Sequence, residues 1–140
     1  PLIFGESAPT SEAMRAMQSE HSGVVLITQD GKASSPLLGI FTERDVLLRI
    51  VDRGKNPATL PIGEVMTPDP ECLAVDSTVA HALNKMSVGG FRHVPVVDQD
   101  HRPAFVVSVR DVVEFLVEAF PREILTLSSE EASPKTREGA

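Results

Sequence analysis

Two strings in this chain place a hydroxyl and a carboxylate three residues apart, where a strand gives way to a helix. They are Gly39-Ile40-Phe41-Thr42-Glu43-Arg44-Asp45 and Phe105-Val106-Val107-Ser108-Val109-Arg110-Asp111. At such a junction the first backbone N–H groups of the helix lack partners within it. Together with the hydroxyl of Thr42 or Ser108 they can receive an anion such as phosphate. Asp45 or Asp111, in the first helical turn, can take the paired hydroxyls of a ribose. Helix physics alone also favours a Ser or Thr N-cap followed by a first-turn acid. For one string that plainer account suffices. Its recurrence in register argues for more.

The strings are parts of a longer internal repeat. From Pro70 to Leu116 the order is strand, helix, strand, strand, helix. Cys72–Val75 reads as a short strand, and Asp76, Ser77 and Thr78 are N-cap candidates for a helix carrying Val79, Ala82, Leu83 and Met86. Gly89-Gly90 can end that helix at positive φ. His93–Val97 and Phe105–Val107 are apolar runs suited to buried strands, and Val109–Phe120 is a helix stopped by Pro121. The first half repeats the order with Pro1–Phe4, Ser11–Met17, Val24–Ile27, Gly39–Phe41 and Asp45–Val51. These boundaries predict one repeat over 1–54, a linker and lead-in over 55–69, a second repeat over 70–127 and a disordered polar tail over 128–140. Each half alone buries too little apolar surface for comfortable stability. Two halves packed together solve that and leave clefts at the seam, where small ligands commonly bind.

Composition narrows the function. The chain has 140 residues, 41% hydrophobic, with a formal charge of −7 and neither Trp nor Tyr. Such a surface does not suit nucleic acid, which needs basic neutralisation or aromatic platforms. The single cysteine, Cys72, excludes an internal disulfide and a thiolate-rich metal site. No apolar run is long enough to span a bilayer, and the first residues do not read as a signal peptide; a cytoplasmic setting is expected. The chain starts at Pro1 rather than Met, as expected of a processed chain or of a fragment of a longer one.

With the repeat in place, the chain closely resembles the CBS (cystathionine-β-synthase-type) domain family in its paired form, the Bateman module, from Pro1 to about Leu125. Beyond the two hydroxyl-x-x-Asp strings, the resemblance rests on Glu64-Val65-Met66-Thr67-Pro68 and Arg92-His93-Val94-Pro95-Val96-Val97-Asp98. It implies an α/β fold of two β-α-β-β-α repeats packed as one pseudo-two-fold module, binding AMP, ADP or ATP as a regulatory ligand. One cleft would combine Thr42, Arg44 and Asp45 with Thr67, Arg92, His93, Val94 and Pro95. There Asp45 would hold the ribose, Thr67 and backbone near Val94 the base, and Thr42, Arg92 and His93 the phosphate. A weaker second cleft would combine Ser108, Arg110 and Asp111 with Ser22, Gly23, Val24 and Val25. It lacks the cations of Arg92-His93, carries Phe105 where the first repeat has Gly39, and has no counterpart of Met66-Thr67-Pro68.

Other side chains read more plainly. His21, His81 and His101 show no metal-ligand spacing, and Cys72 has no positioned base or oxyanion hole, so neither a metal centre nor an enzyme is expected. Val46, Leu47, Ile50 and Val51 match Val112, Val113, Leu116 and Val117, a stripe wider than one sheet contact needs. It predicts a twofold homodimer with Phe115 and Phe120 at its edge. The expected function is a nucleotide sensor controlling a partner domain or protein, with no nucleic acid and no membrane insertion. The rival readings are a dimerisation module without a ligand and the regulatory part of a larger enzyme or transporter. Replacing Asp45 by Ala is expected to abolish binding with the fold intact, and replacing Asp111 to matter less.

Overall fold

The computed structural model describes residues 1–120; the expected stop at Pro121 and the expected tail lie outside them. The chain divides into two compact units, Pro1–Val107 and the part from Ser108 onward. Its elements are β1 (Ile3–Gly5), α1 (Thr10–Ser19), β2 (Val24–Thr28), β3 (Leu37–Thr42) and α2 (Glu43–Asp45), which runs on as a π-helical segment (Val46–Val51). A 3-10 turn (Ile62–Glu64), β4 (Thr67–Pro68), β5 (Leu73–Ala74), α3 (Val79–Gly89), β6 (His93–Val97), β7 (Pro103–Ser108) and α4 (Val109–Ala119) follow. The fold is mixed α/β, with strand, helix, strand, strand, helix in each half.

The first sheet has the order β1-β2-β3-β4 and the second β5-β6-β7. β1 lies parallel to β2, and β3 is antiparallel to both β2 and β4. Side chains alternate across a strand, and β2 is buried along its whole length. Val25 and Ile27 therefore enter one core with Ala13, Met17, Phe41, Ile50, Ile62 and Val65. Val24 and Leu26 enter another with Leu37, Ile40 and Val97, flanked by Ile3, Cys72 and Val106. The first core seats α1 and the π-helical segment on the sheet. The second is the seam where residues of the two halves meet.

The linker is clamped rather than loose. Leu60 O accepts from the Thr10 N–H at 2.9 Å and from the Thr10 hydroxyl at 2.7 Å. Ser11 N–H donates to Pro57 O at 3.0 Å, and Ile62 and Gly63 N–H donate to Ala8 and Glu6 carbonyls at 2.8 and 2.9 Å. Ile62 is fully buried, a burial that contributes roughly 1.5–3 kcal/mol. The chain then crosses so that residues opening the second repeat pair with the first repeat's sheet, Thr67 opposite Ile40 and Pro68 opposite Gly39.

That crossing explains Gly39. A Cβ there would collide with the Met66 Sδ and would lie 2.8 Å from the Thr67 carbonyl oxygen. α3 starts on Thr78, whose hydroxyl accepts from the His81 N–H at 3.1 Å. It stops at Gly90, at φ 70°; Gly89 is still helical, so only the second glycine supplies the left-handed turn.

Gly39→Ala is expected to destabilise the chain by about 1–3 kcal/mol, the cost of inserting atoms into a filled space. Urea unfolding measures this, and an unchanged midpoint would show that β4 does not press on β3.

Candidate functional site

Thr42 closes β3 in extended conformation and caps the helix after it, forming a reciprocal capping box with Asp45. The Thr42 N–H donates to Asp45 Oδ2 at 2.9 Å, and the Asp45 N–H reaches the Thr42 hydroxyl at 3.4 Å. The same hydroxyl lies 3.3 Å from Asp45 Oδ2. Asp45 is only 6% exposed, and a buried carboxylate is costly unless compensated. Two further groups compensate it. The Thr67 hydroxyl, in β4, donates to Oδ1 at 3.2 Å. Arg49, one turn along, brings its Nε to 3.4 Å from the same oxygen and donates from a terminal nitrogen to the Met66 carbonyl at 2.8 Å.

The structure thus places Thr42, Asp45 and Thr67 together, the first two spaced as in the motif and the third as the family resemblance implies, and adds Arg49. The missed signal is the i,i+4 spacing of Asp45 and Arg49, a standard helix ion pair, hidden within a segment read for its apolar stripe. The same contacts amend the expectation that replacing Asp45 leaves the fold untouched. Its carboxylate joins the helix start to β4.

The segment before β6 reaches the same neighbourhood. A Cβ on Gly23 would lie 2.9 Å from Glu43 Oε1 and 3.6 Å from His93 Cε1. Glu43 N–H donates to Gly23 O at 3.1 Å, and Val24 stands opposite Thr42 in the β2–β3 pair. His93, half-buried, therefore sits beside the first residue of α2. Val94 and Pro95 are fully buried in β6, while Arg92 and Arg44 are exposed. Gly23, expected in the second cleft, lies against His93 of the first.

The remaining second-cleft residues are engaged locally. The Ser22 hydroxyl donates to Val24 O at 2.9 Å and accepts from the Val24 N–H at 3.3 Å. In the second compact unit, Ser108 and Asp111 form their own capping box, with contacts of 2.9 and 3.0 Å. Asp111, unlike Asp45, is exposed. The repeated motif therefore sits in two electrostatic settings.

Among the described residues, no group of three or more His, Cys, Asp or Glu is placed to hold a metal ion. No helix among them is long and apolar enough to cross a membrane. Cys72 is half-buried beside β5, with its thiol 3.2 Å from the Pro70 carbonyl. Desolvation, then the negative charge of Glu71, pushes that thiol up from its ordinary pKa, the reverse of what a nucleophile requires.

Comparisons with known proteins agree with this fold. The CBS domain model matches residues 1–52 and 62–118. The CBS domain-containing protein CBSCBSPB3 of Arabidopsis thaliana is 35% identical over 110 residues, which make up 79% of this chain and 19% of that protein. The chain therefore spans about a fifth of the length of that relative. The CBS domain protein PAE2072 from Pyrobaculum aerophilum, complexed with AMP, shares the fold at TM-score 0.71 and 24% identity, covering 92% of each chain. The CBS domain pair of MJ0100, in complex with 5′-methylthioadenosine and S-adenosyl-L-methionine, gives 0.72 at 24% identity, covering 83% of this chain and 91% of that one.

Two measurements check the site as described. Asp45→Ala is expected to lower stability by about 2–3 kcal/mol, against about 1 kcal/mol or less for Asp111→Ala, since only the first removes a buried, multiply bonded carboxylate. Equal losses in denaturant titration contradict the difference in setting. Cys72 is expected to react with iodoacetamide at pH 7 more slowly in the folded chain than in urea; equal rates would show that burial does not protect it.

Proposed function

The chain belongs to the CBS-domain family, and from that premise we propose that it is a regulatory module whose first cleft binds an adenine nucleotide without transforming it. The single observation that carries this reading is the cluster at the end of β3. Asp45, from one half, accepts a hydrogen bond from Thr67, which opens the other. His93 lies within reach of the same helix start. A carboxylate so placed suits the two hydroxyls of a ribose, and Thr67 and the backbone of Val94 flank the base. Thr42, Arg92 and His93 are assigned to the phosphate, where charge-assisted hydrogen bonds are strongest, with Arg44 at the same cleft. Solved CBS pairs of the same fold carry AMP, or 5′-methylthioadenosine and S-adenosyl-L-methionine, which supports an adenosine-containing ligand.

The second hydroxyl-x-x-Asp string, with Ser108, Arg110 and Asp111, is assigned the weaker affinity. Its carboxylate is exposed, and serine and glycine stand where the first cleft has Arg92-His93. Phe105, at the position of Gly39, is 47% exposed. Nucleotide binding controls a partner domain or protein through the difference in affinity between two states of the module.

A homodimer completes the proposal. On α4, Val109, Val113 and Val117 fall at helical spacing and are exposed, as are Phe115 and, just beyond the helix, Phe120, while Val112 is buried. In the first unit Leu47, Leu48 and Val51 are likewise exposed and Ile50 is buried. Exposed apolar stripes of this kind mark partner surfaces.

AMP at about 100 times its dissociation constant is expected to stabilise the chain by about 2.7 kcal/mol, readily seen as a raised melting temperature. Asp45→Asn, which keeps acceptors for the capping box, should remove most of that gain, and Asp111→Asn little of it. If AMP, ADP, ATP, 5′-methylthioadenosine and S-adenosylmethionine all leave the melting temperature unchanged at millimolar concentration, the sensor reading fails. Val113→Asp is expected to turn a dimer into a monomer in sedimentation.

A further inference from the structure

A carboxylate offers about four acceptor positions, and hydrogen bonds from the protein take three of those of Asp45. Oδ2 receives the N–H and hydroxyl of Thr42, Oδ1 receives the Thr67 hydroxyl, and the Arg49 guanidinium stands against the rest of Oδ1 as an ion-pair partner. A ribose diol needs two of these positions, so something must yield. The Thr42 N–H cannot leave without undoing the helix start. Thr67 is held in β4 by its pairing with Ile40. Arg49 is the remaining group: its contact is the longest in distance to Oδ1, at 3.4 Å, and its flexible side chain is 34% exposed.

We propose that Arg49 is a positioning residue that competes with ligand hydroxyls for Asp45 and transmits the outcome to β4. The proposal rests on the nucleotide reading of the first cleft. The transmission follows from the guanidinium's other contact. Through its terminal nitrogen Arg49 holds the Met66 carbonyl, the last peptide oxygen before β4, at 2.8 Å. One planar cation therefore joins the ribose-binding carboxylate to the backbone that leads from the first half into the second. When a diol takes Oδ1, the anion that anchors Arg49 is satisfied elsewhere and the hold on Met66 loosens. Coupling of this kind is reciprocal: what loosens β4 also frees Asp45 for the ligand. A partly exposed ion pair of this type contributes modestly, so the competition tunes affinity and does not abolish it.

Arg49→Met keeps the aliphatic stem and removes the charge and the donors. Isothermal titration of wild type and variant with adenosine, AMP and 2′,3′-dideoxyadenosine tests the competition. Adenosine is expected to bind the variant about two- to fivefold more tightly, the span of a partly exposed ion pair. Dideoxyadenosine, which lacks the hydroxyls, is expected to bind both equally. If wild type binds adenosine and the variant binds it no better, the competition is wrong and the nucleotide reading stands. Weakened AMP binding with unchanged adenosine binding makes Arg49 a phosphate contact and overturns the proposal. If wild type binds none of the three, both the nucleotide reading and the competition fall. The link to β4 has its own readout, without ligand. The Asp69 N–H, bonded to Leu38 O at 3.0 Å just beyond β4, is expected to exchange with deuterium several-fold faster in Arg49→Met. Unchanged exchange overturns the link.

Discussion

A carboxylate removed from water must be given partners, and in this chain the partners of Asp45 come from three places in the sequence. Thr42 precedes it by one helical turn, Arg49 follows by one turn, and Thr67 arrives from beyond the linker. Burying an unpaired charge costs several kcal/mol, so these groups cannot separate freely. Satisfying one side chain thereby fixes where α2 begins, where β4 lies against β3, and which face of the π-helical segment turns inward. Gly39 makes the arrangement sterically possible, because the backbone of Thr67 and the side chain of Met66 occupy the space of a β-carbon. Chemistry and packing thus meet on the same few residues.

The second hydroxyl-x-x-Asp string shows what the first would be without that enclosure. Ser108 and Asp111 form the same capping box, one contact as short as in the first and the other shorter. Their carboxylate is exposed, and water compensates it. The capping box accounts for the motif in both places, as helix physics alone foretells. Only at Asp45 does burial convert a cap into a junction between halves. The difference between the two sites therefore lies less in the motif than in its cover, and the substitution of Phe105 for the glycine at position 39 is its visible sign in the sequence.

How much of this was legible beforehand follows from the range of each interaction. Periodicity and turn chemistry are local, so the repeated strand-helix-strand-strand-helix order, a cap within Asp76–Thr78 and the apolar run of Val24–Ile27 are readable directly. The pairing of Thr42 with Asp45 is local too. The junction of Asp45 with Thr67, twenty-two residues away, was reachable only through the family resemblance, because nothing in the spacing announces it. Arg49 is hidden for another reason: the apolar pattern of its segment points to Leu47 and Val51, yet these are exposed while Arg49 turns toward Asp45. Composition marks 55–69 as a linker and lead-in. Hydrogen bonds made by Thr10, Ser11, Ile62 and Gly63 hold that stretch, and composition does not encode bonds made to a distant loop.

A regulatory module must have something to change, and its ligand must prefer one arrangement over another. Most of this chain offers little to change: β2 is buried on both faces, and close-packed interiors resist gradual deformation. The junction at Asp45 is different, because its anion is shared among competing donors on separate elements. A ligand hydroxyl placed there alters the balance among donors without creating a new charge or disturbing the cores on either side. The free-energy change is small, as it must be when a partly exposed ion pair is exchanged for hydrogen bonds, yet allosteric coupling commonly amounts to only about 1–3 kcal/mol. A rearrangement on that scale is enough to bias a bistable partner while leaving the module folded. Because the shared anion lies where the chain passes from one half to the other, the proposed bias acts on the pairing of β3 with β4.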